Sequence, residues 1–308
     1  MNAISLPISM QVFERGWLSS NNILFTGSDT GHGTTALIDS GYLTHAEQTL
    51  ALVRHALQER PLELLINTHL HSDHCGGNAL LQRHYAVKTL VPASETDAVQ
   101  AWDQARLSYQ ATGQRCERFR CDGSIAHGDC LQLGGMAWQV ISAPGHDPHS
   151  MILYCPQEGI LISADALWEN GFGVIFPELE GESGFAEQAA ILATIAELDV
   201  RIVIPGHGAP FTDVRGALQR AGSRLDYLAA DTRRNARNAI KVMIAFLLLE
   251  QRQLHLPDLH AQFGDQRLLQ AAATQLQIPE EDLFVRLGTE LAQSGAARLE
   301  AGMLFSPS

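Results

Sequence analysis

The sequence predicts an α/β fold, in which two mixed sheets flanked by helices precede a helical C-terminal module. Short apolar runs typical of strands alternate with helical patterns over the first two-thirds of the 308 residues. Strand-like stretches also follow one another directly through glycine turns, as around Gly134 and Gly135, which indicates antiparallel pairs beside parallel ones. From about Asp213 onward helical patterns dominate, so the last third is expected to form a unit of its own.

The first helix shows how each element is assigned. Ala46, Leu50, Val53 and Leu57 recur at spacings of four, three and four, which is one apolar stripe of a helix that ends before Pro61. A second helix is predicted at about 183–198. Strands are predicted where the apolar runs are short: 23–25, 34–38, 62–68, 89–92, 131–141, 151–154, 160–163 and 201–204.

The last third of the chain carries five helical patterns: 216–230, 235–250, 257–263, 266–276 and 280–293. A hairpin of 296–300 and 303–306, turning at Gly302, follows them. Several helices before a small hairpin are typical of a winged-helix-like module. We therefore divide the chain into a main domain, 1–212, and a C-terminal helical, winged-helix-like module, 213–308.

Composition and charge narrow the classes of function. The longest apolar run, 242–249, is too short to span a membrane, and the first ten residues lack the Lys or Arg of a secretory signal. The five cysteines form no C-x-x-C pair, which is typical of reduced thiols. We therefore expect a cytoplasmic protein with no membrane partner.

The net charge of −13 lies in residues 1–215, which hold 11 Lys and Arg against 24 Asp and Glu. An acidic body repels phosphate backbones and disfavours a nucleic-acid partner. A stripe of cations follows, interpreted as a solvated helix face because Asp226 and Asp231 interrupt it: Arg220, Arg224, Arg233, Arg234, Arg237 and Lys241. Since residues 216–308 carry 10 charges of each sign, we expect this part to wall a pocket or form a homodimer contact.

The strongest motif is the H-x-H-x-D-H pattern formed by His69, His71, Asp73 and His74, directly after the predicted strand 62–68. Side chains alternate along a strand, so His69 and His71 point the same way and can reach one metal ion. Asp73 and His74 lie in the following turn and can face a second position. Imidazole and carboxylate groups suit Zn²⁺, although Fe or Mn would accept the same set.

Three further residues of these types follow predicted strands. His146 and His207 each stand in a Pro-Gly-His turn, and Asp165 follows the strand 160–163. Active-site residues belong at strand ends, where glycine and proline let the backbone turn sharply. The sequence therefore predicts one metal centre where these loops meet.

These residues resemble the metal ligands of the metallo-β-lactamase superfamily, and Asp39 in an Asp-x-Gly turn resembles the aspartate that supports that site. The resemblance covers about residues 20–212 and implies an αβ/βα sandwich with the site at one edge, so that 1–212 is the catalytic domain. It also implies a centre of two Zn²⁺ ions per chain. By this resemblance the first ion takes His69, His71 and His146, the second takes Asp73, His74 and His207, and Asp165 bridges them.

The resemblance also implies a mechanism without a side-chain nucleophile. A hydroxide that bridges the two ions attacks, and one metal polarises the scissile group. Asp73 is the predicted catalytic residue, because it orients the hydroxide and carries its proton. Asp73, His74, Gly76, Gly77 and Asn78 are similar to a motif of the hydroxyacylglutathione hydrolases.

We therefore predict a dinuclear zinc hydrolase of a small activated acyl compound: a thioester, a lactone or an ester. One alternative is a phosphodiester hydrolase or endoribonuclease of the same superfamily, and another is a metal-bound sensor with weak catalysis. Acyl chemistry is favoured because, besides Arg60 and Arg83 at the margins, Arg201 is the one basic residue near the ligand motifs, and it stands several residues from them.

Substrate contacts are predicted at four positions, three of them close to ligands in the chain and the fourth in a separate segment: His149, Trp168, Phe172 and Tyr109. Trp168 and Phe172 follow Asp165, where relatives place a substrate-facing loop and where aromatic rings can floor an acyl pocket. The segment 102–120 resembles a lid insertion, with Tyr109 at its lip.

Overall fold

The computed structural model describes residues 4–27 and 33–306. Its first sheet has six strands in chain order: Met10–Phe13 (β1), Asn22–Phe25 (β2), Ala36–Ile38 (β3), Leu64–Ile66 (β4), Lys88–Pro92 (β5) and Gly123–Ile125 (β6). The pairs β1–β2 and β2–β3 are antiparallel, whereas the pairs from β3 to β6 are parallel. Parallel neighbours need crossover connections, which the helices described below supply.

The second sheet has five strands: Cys130–Leu133 (β7), Met136–Ser142 (β8), Met151–Cys155 (β9), Ile160–Ala164 (β10) and Ile202–Pro205 (β11). Its order is β11-β10-β9-β8-β7, and β10–β11 is its one parallel pair. Gly134 and Gly135 turn the β7–β8 hairpin at φ of +60° and +78°, where a side chain would strain the backbone.

The two sheets face each other across a shared apolar core. Phe25, Ile38 and Ile66 of the first sheet pack in one cluster with Trp138 and Leu153 of the second. The Trp138 ring meets the Phe25 ring edge-on, with centroids 5.3 Å apart. The predicted pair of mixed sheets is confirmed by this packing.

Helices cover the outer faces of both sheets. Those on the first sheet are Ala46–Leu57 (α1), Ser72–Cys75 (α2), Asn78–His84 (α3), Thr96–Ala101 (α4) and Tyr109–Thr112 (α5). Those on the second are Phe185–Glu197 (α6) and Val214–Ala229 (α7). The apolar stripe predicted for α1 is its buried face, as the 3.6-residue period requires.

The remaining helices are Thr232–Gln251 (α8), Arg267–Leu276 (α9) and Leu283–Gln293 (α10), and the remaining strands are Gln253–His255 (β12), Arg298–Glu300 (β13) and Met303–Phe305 (β14). The three strands form an antiparallel sheet in the order β12-β14-β13. The helix predicted at 257–263 is a 3₁₀ helix, Leu256–Gln262; shorter ones lie at Leu43–His45, Ala93–Glu95, Pro177–Leu179 and Glu280–Asp282. Helices after the sandwich are thus confirmed, and their winged-helix-like character stays a prediction.

Packing is continuous across the predicted boundary at 212/213. Ala217 and Leu225 of α7 belong to the same cluster as α6 and the outer face of the second sheet. Helices α8, α9 and α10 pack around a separate apolar core, which also contains Val174 and Leu179 of the main domain. The division at 212/213 therefore stays a prediction. Within 4–27 and 33–306, every helix is too short or too polar to cross a lipid bilayer.

Candidate metal centre

Seven His and Asp side chains meet where strands β4, β8, β10 and β11 end. Four of them follow β4, and the last two of these four lie in α2: His69, His71, Asp73 and His74. His146 follows β8, Asp165 follows β10 and His207 follows β11. Gly145, with φ of +141°, allows the turn that carries His146. Ala164 is held at φ of +44° directly before Asp165, a left-handed conformation that side chains rarely adopt.

The first group of donors consists of His69, His71 and His146, whose ring nitrogens lie within 4.8 Å of one another. Nδ1 of His71 is 2.8 Å from Nε2 of His146, and Nε2 of His69 is buried without a hydrogen-bond partner among the described residues. Burial, with the charge of His71, lowers the pKa of His146 to about 4. Burial also holds the pKa of His69 well below its usual value. Neutral imidazoles with inward lone pairs are suited to bind a metal ion.

The second group consists of Asp73, His74 and His207, again within 4.8 Å. Nε2 of His207 is 3.0 Å from Oδ2 of Asp73, and Nε2 of His74 is buried with no partner in the described part of the chain. Burial raises the pKa of the Asp73 carboxyl, but His74 and His207 outweigh it and hold that pKa below its ordinary value. Asp73 is thus a carboxylate, the form that binds cations.

Asp165 lies between the two groups. Its Oδ2 is 3.4 Å from Nε2 of His146, and its Oδ1 is 3.5 Å from Nε2 of His74. Trp168 donates from Nε1 to Oδ1 at 3.1 Å, which fixes the carboxylate. Burial opposes ionisation, yet the charges of His74 and His207 keep the pKa of Asp165 well below its usual range. One oxygen towards each group is the geometry of a shared ligand.

The chemistry of these donors fits two divalent ions. Buried polar atoms without a partner are rare in proteins, and here Nε2 of His69, Nε2 of His74 and Nδ1 of His207 have none within the described residues. The first two point into the donor groups, where an ion would satisfy them. The first group offers three imidazole nitrogens, and the second offers two imidazole nitrogens and a carboxylate; both sets of ligands suit zinc. The structure brings all seven predicted ligands together, while their individual roles stay predictions.

Asp39 supports the centre through hydrogen bonds to Thr68 and His74. It accepts hydrogen bonds from the Thr68 N–H at 2.9 Å, the Thr68 hydroxyl at 2.8 Å and Nδ1 of His74 at 2.8 Å. The bond to Nδ1 leaves Nε2 of His74 free for a metal ion, as histidine ligands require. Asp39 has φ of +57°, so its backbone is held in the left-handed region to reach these partners.

An apolar cavity of about 160 Å³, which we call the acyl cavity, opens on both donor groups. Trp168 and Phe172 line it, while their contact with a substrate stays a prediction, and α8 adds a wall that the sequence did not indicate: Val242, Met243 and Phe246. Trp17 was also missed, although its ring stacks on His207 with centroids 5.5 Å apart. No motif surrounds Trp17, and only the tertiary fold brings it to the site.

A second cavity, of about 140 Å³, is also lined by His71 and His146. His149 lines it, with Nε2 3.1 Å from Oε1 of the buried Glu95. The structure does not bring Tyr109 to either cavity. Its ring is buried because α5 packs inward, and its hydroxyl lies 3.1 Å from Sγ of Cys75. The segment 102–120 does wall both cavities, through Thr112 and its neighbours.

Glu95 predicts a pH dependence of stability. Burial, with the nearby charge of Asp147, raises the pKa of Glu95 from 4.5 to about 7. A raised carboxyl pKa means that the folded chain holds the proton more tightly, so stability falls as pH rises from 4.5 to 7. The loss is at most about 3 kcal/mol. Glu95→Gln is expected to match wild type in denaturant titrations at pH 4.5 and to exceed it at pH 8; parallel profiles would contradict this.

Most of the sequence that forms the two sheets matches a known family. Residues 15–207 fit the profile described as the metallo-beta-lactamase superfamily. The chain belongs to the metallo-beta-lactamase superfamily. The match spans every strand from β2 to β11 and all seven donors. The predicted family membership is therefore confirmed.

Curated relatives of this superfamily member cover only part of it. A hydroxyacylglutathione hydrolase of Chelativorans sp. (strain BNC1) is 27% identical over 157 residues, which are 51% of this chain and 52% of the relative. A hydroxyacylglutathione hydrolase of Synechococcus sp. is 30% identical over 164 residues, 51% of this chain and 54% of the relative. The chain thus spans about half the length of the curated relatives it matches.

Two solved structures with a similar fold match nearly the full length of this chain. A metallo-beta-lactamase family protein from Thermus thermophilus has a TM-score of 0.56 at 20% identity and covers 97% of this chain and 99% of its own. A beta-lactamase domain protein from Burkholderia ambifaria has a TM-score of 0.57 at 20% identity, covering 99% and 96%. These likenesses confirm the predicted fold, including the helices beyond residue 212.

Proposed function

We propose that this chain is a dinuclear zinc hydrolase of a small activated acyl compound, with thioesters first and lactones or esters next. The observation that carries the proposal is the placement of two three-residue donor groups around Asp165 at the floor of an apolar cavity. Each group has the number of protein ligands typical of a catalytic zinc site, which keeps a position open. The curated relatives are named hydroxyacylglutathione hydrolases, and an acyl group on the sulfur of glutathione is a thioester, which supports thioesters as the first class.

The chain's own residues would carry out three tasks. Bound zinc ions would supply Lewis acidity, polarising the scissile carbonyl and lowering the pKa of a water molecule. Asp73 lines the acyl cavity, so its carboxylate can orient the attacking water, accept its proton and return it to the leaving group. Asp39 holds the His74 ring in place. Trp17, Trp168 and Phe172 exclude bulk water and receive the acyl chain.

The acyl cavity favours acyl over phosphodiester chemistry. Its walls beside the donors are aromatic and aliphatic, and among the described residues Arg224 is the one Lys or Arg that lines it. A phosphodiester backbone carries a charge at every residue and needs several cations along its path. We therefore propose a small-molecule substrate. A cytoplasmic location and a homodimer remain predictions.

A matched panel tests the proposal. We expect the zinc-loaded protein to hydrolyse thioesters or lactones and to cleave single-stranded RNA little or not at all. His71→Ala should lower the acyl rate at least about 100-fold, because it removes a donor of the first group. His55→Ala, at an exposed position of α1, is the matched control and should retain the rate.

The panel also contains the results that would overturn the proposal. RNA cleavage that disappears in His71→Ala, with acyl compounds untouched, would assign the chain to the phosphodiester branch. Rates indistinguishable from His71→Ala on every substrate would favour a metal-bound sensor. Thermal melting of each variant excludes unfolding as the cause of a lost rate.

A further inference from the structure

A groove between α7 and α8 differs from the metal centre because most of its charged lining residues are cationic. It has a volume of about 460 Å³, within the range of small-molecule sites. Five cationic side chains line it, and we call it the basic groove: Arg224, Arg233, Arg234, Arg237 and Lys241. The sequence pattern indicated a solvated helix face for these residues, but the fold gathers them around one concavity.

The basic groove keeps an excess of positive charge after its internal ion pairs are counted. Asp231 pairs with Arg233 at 2.8 Å, and Glu290 is shared by Arg237 and Lys241. Five cations against two carboxylates leave a net charge of +3 at the groove, in a chain whose net charge is −13. A positive site on an acidic protein attracts anions locally while the rest of the surface repels them.

Arg224 connects the basic groove to the acyl cavity, because it lines both. Its guanidinium carbon lies 5.6 Å from the centre of the Phe172 ring, and its Nε is buried without a hydrogen-bond partner in the described chain. Burial lowers the pKa of Arg224. A partly buried cation whose Nε is unsatisfied has lost hydration that an anionic ligand would restore.

We propose that the basic groove binds the phosphate groups of a carrier whose thioester-linked acyl group passes Arg224 and enters the acyl cavity. This inference rests on the proposed function, which supplies the thioester chemistry. Arginine guanidinium groups bind phosphate oxygens through two parallel hydrogen bonds, and several lie in the groove. The substrate class is therefore an acyl thioester of a phosphorylated carrier.

The observations favour such a carrier over a nucleic acid. The cations lie on one side of Arg224 only, whereas the acyl cavity on the other side is lined by Phe172, Met243 and other apolar groups. A phosphorylated thioester has the same division, with charge at one end and an apolar acyl group at the other. A long polyanion would also have to approach the acidic body of the protein.

Three thioesters of one acyl group test the carrier. They are the coenzyme A thioester, which carries phosphates, the glutathione thioester, which carries carboxylates, and the N-acetylcysteamine thioester, which carries neither. We expect kcat/KM for the coenzyme A thioester to exceed that for the N-acetylcysteamine thioester at least about tenfold, as charged hydrogen bonds allow. The kcat/KM for the glutathione thioester should lie between these two values. Arg224→Gln and Arg234→Gln should raise KM for the coenzyme A thioester and so reduce the ratio of its kcat/KM to that of the N-acetylcysteamine thioester. Arg215→Gln, an exposed position on the same helix as Arg224, should leave this ratio unchanged.

A binding measurement separates this inference from the proposed function. Calorimetric titration with ADP requires no turnover, so it reports binding without hydrolysis. Because Arg234 lines the basic groove and not the acyl cavity, weaker binding in Arg234→Gln assigns that binding to the groove. Saturable ADP binding that weakens in Arg224→Gln but not in Arg215→Gln supports the groove, even if no thioester is hydrolysed. Equal kcat/KM for all three carriers, without ADP binding, overturns it even if thioesters are hydrolysed. RNA cleavage that is lost in Arg224→Gln and Arg234→Gln would also overturn it, in favour of a nucleic acid.

Discussion

Replacing Asp165 with alanine is expected to remove metal and activity together. Its two oxygens face different donor groups, at 3.4 Å from His146 and 3.5 Å from His74, so one substitution weakens both positions. Even partners that only support a ligand change metal affinity or activity 10- to 100-fold, so we expect a loss of at least about 100-fold in kcat/KM. Elemental analysis should find about two equivalents of zinc per wild-type chain and clearly fewer in the variant.

The control for Asp165→Ala is Glu169→Ala, which removes an exposed carboxylate from the same loop. This variant should keep both the metal content and the rate. A fully active wild-type preparation with a single equivalent of metal would contradict the two-ion centre. An Asp165→Ala protein that keeps its metal and loses only its rate would show that Asp165 is not a shared ligand.

Asp39→Asn is expected to weaken metal binding about 10- to 100-fold while leaving the fold in place. Asparagine tolerates the left-handed backbone at φ of +57°, so the turn is retained. The amide has one acceptor oxygen, whereas Asp39 uses two oxygens to hold Thr68 and His74. The His74 ring would then lose the charged partner that orients it and increases its basicity.

Competition with a chromophoric chelator measures that change in affinity directly. Asp97→Asn, an exposed position on α4, is the matched control and should bind zinc as wild type does. Equal affinity in Asp39→Asn and wild type would show that the ring of His74 is oriented by its packing alone. Thermal melting in excess zinc checks that the variant is folded.

The sequence alone predicted the donor residues because their pattern is local. His69, His71, Asp73 and His74 stand within six residues, and the other three follow apolar runs that were recognisable as strands. Long periodic elements such as α1 were also predictable, because one buried stripe fixes their period. In contrast, β1, β6 and β12 were missed. Each has only three or four residues, and none is apolar throughout.

The walls of the site were the less predictable part, because they depend on tertiary packing. Trp17 and Phe246 reach the acyl cavity from segments far from the motifs. Tyr109 fits a lid lip by position in the chain, but packing turns it towards Cys75. The cations of α7 and α8 were interpreted as a solvated face because sequence spacing does not show that two helices enclose a groove.

Each donor group takes two residues from the loop and helix after β4 of the first sheet and one from a strand end of the second. An ion held by such a group links the two halves of the sandwich, and it binds the folded chain in preference to the unfolded one. Thermodynamic linkage then converts occupancy into stability, about 2.7 kcal/mol for one site at a free ion concentration of 100 times its Kd. The free concentration of the bound ion would thereby affect the stability of the folded chain as well as the occupancy of its metal centre.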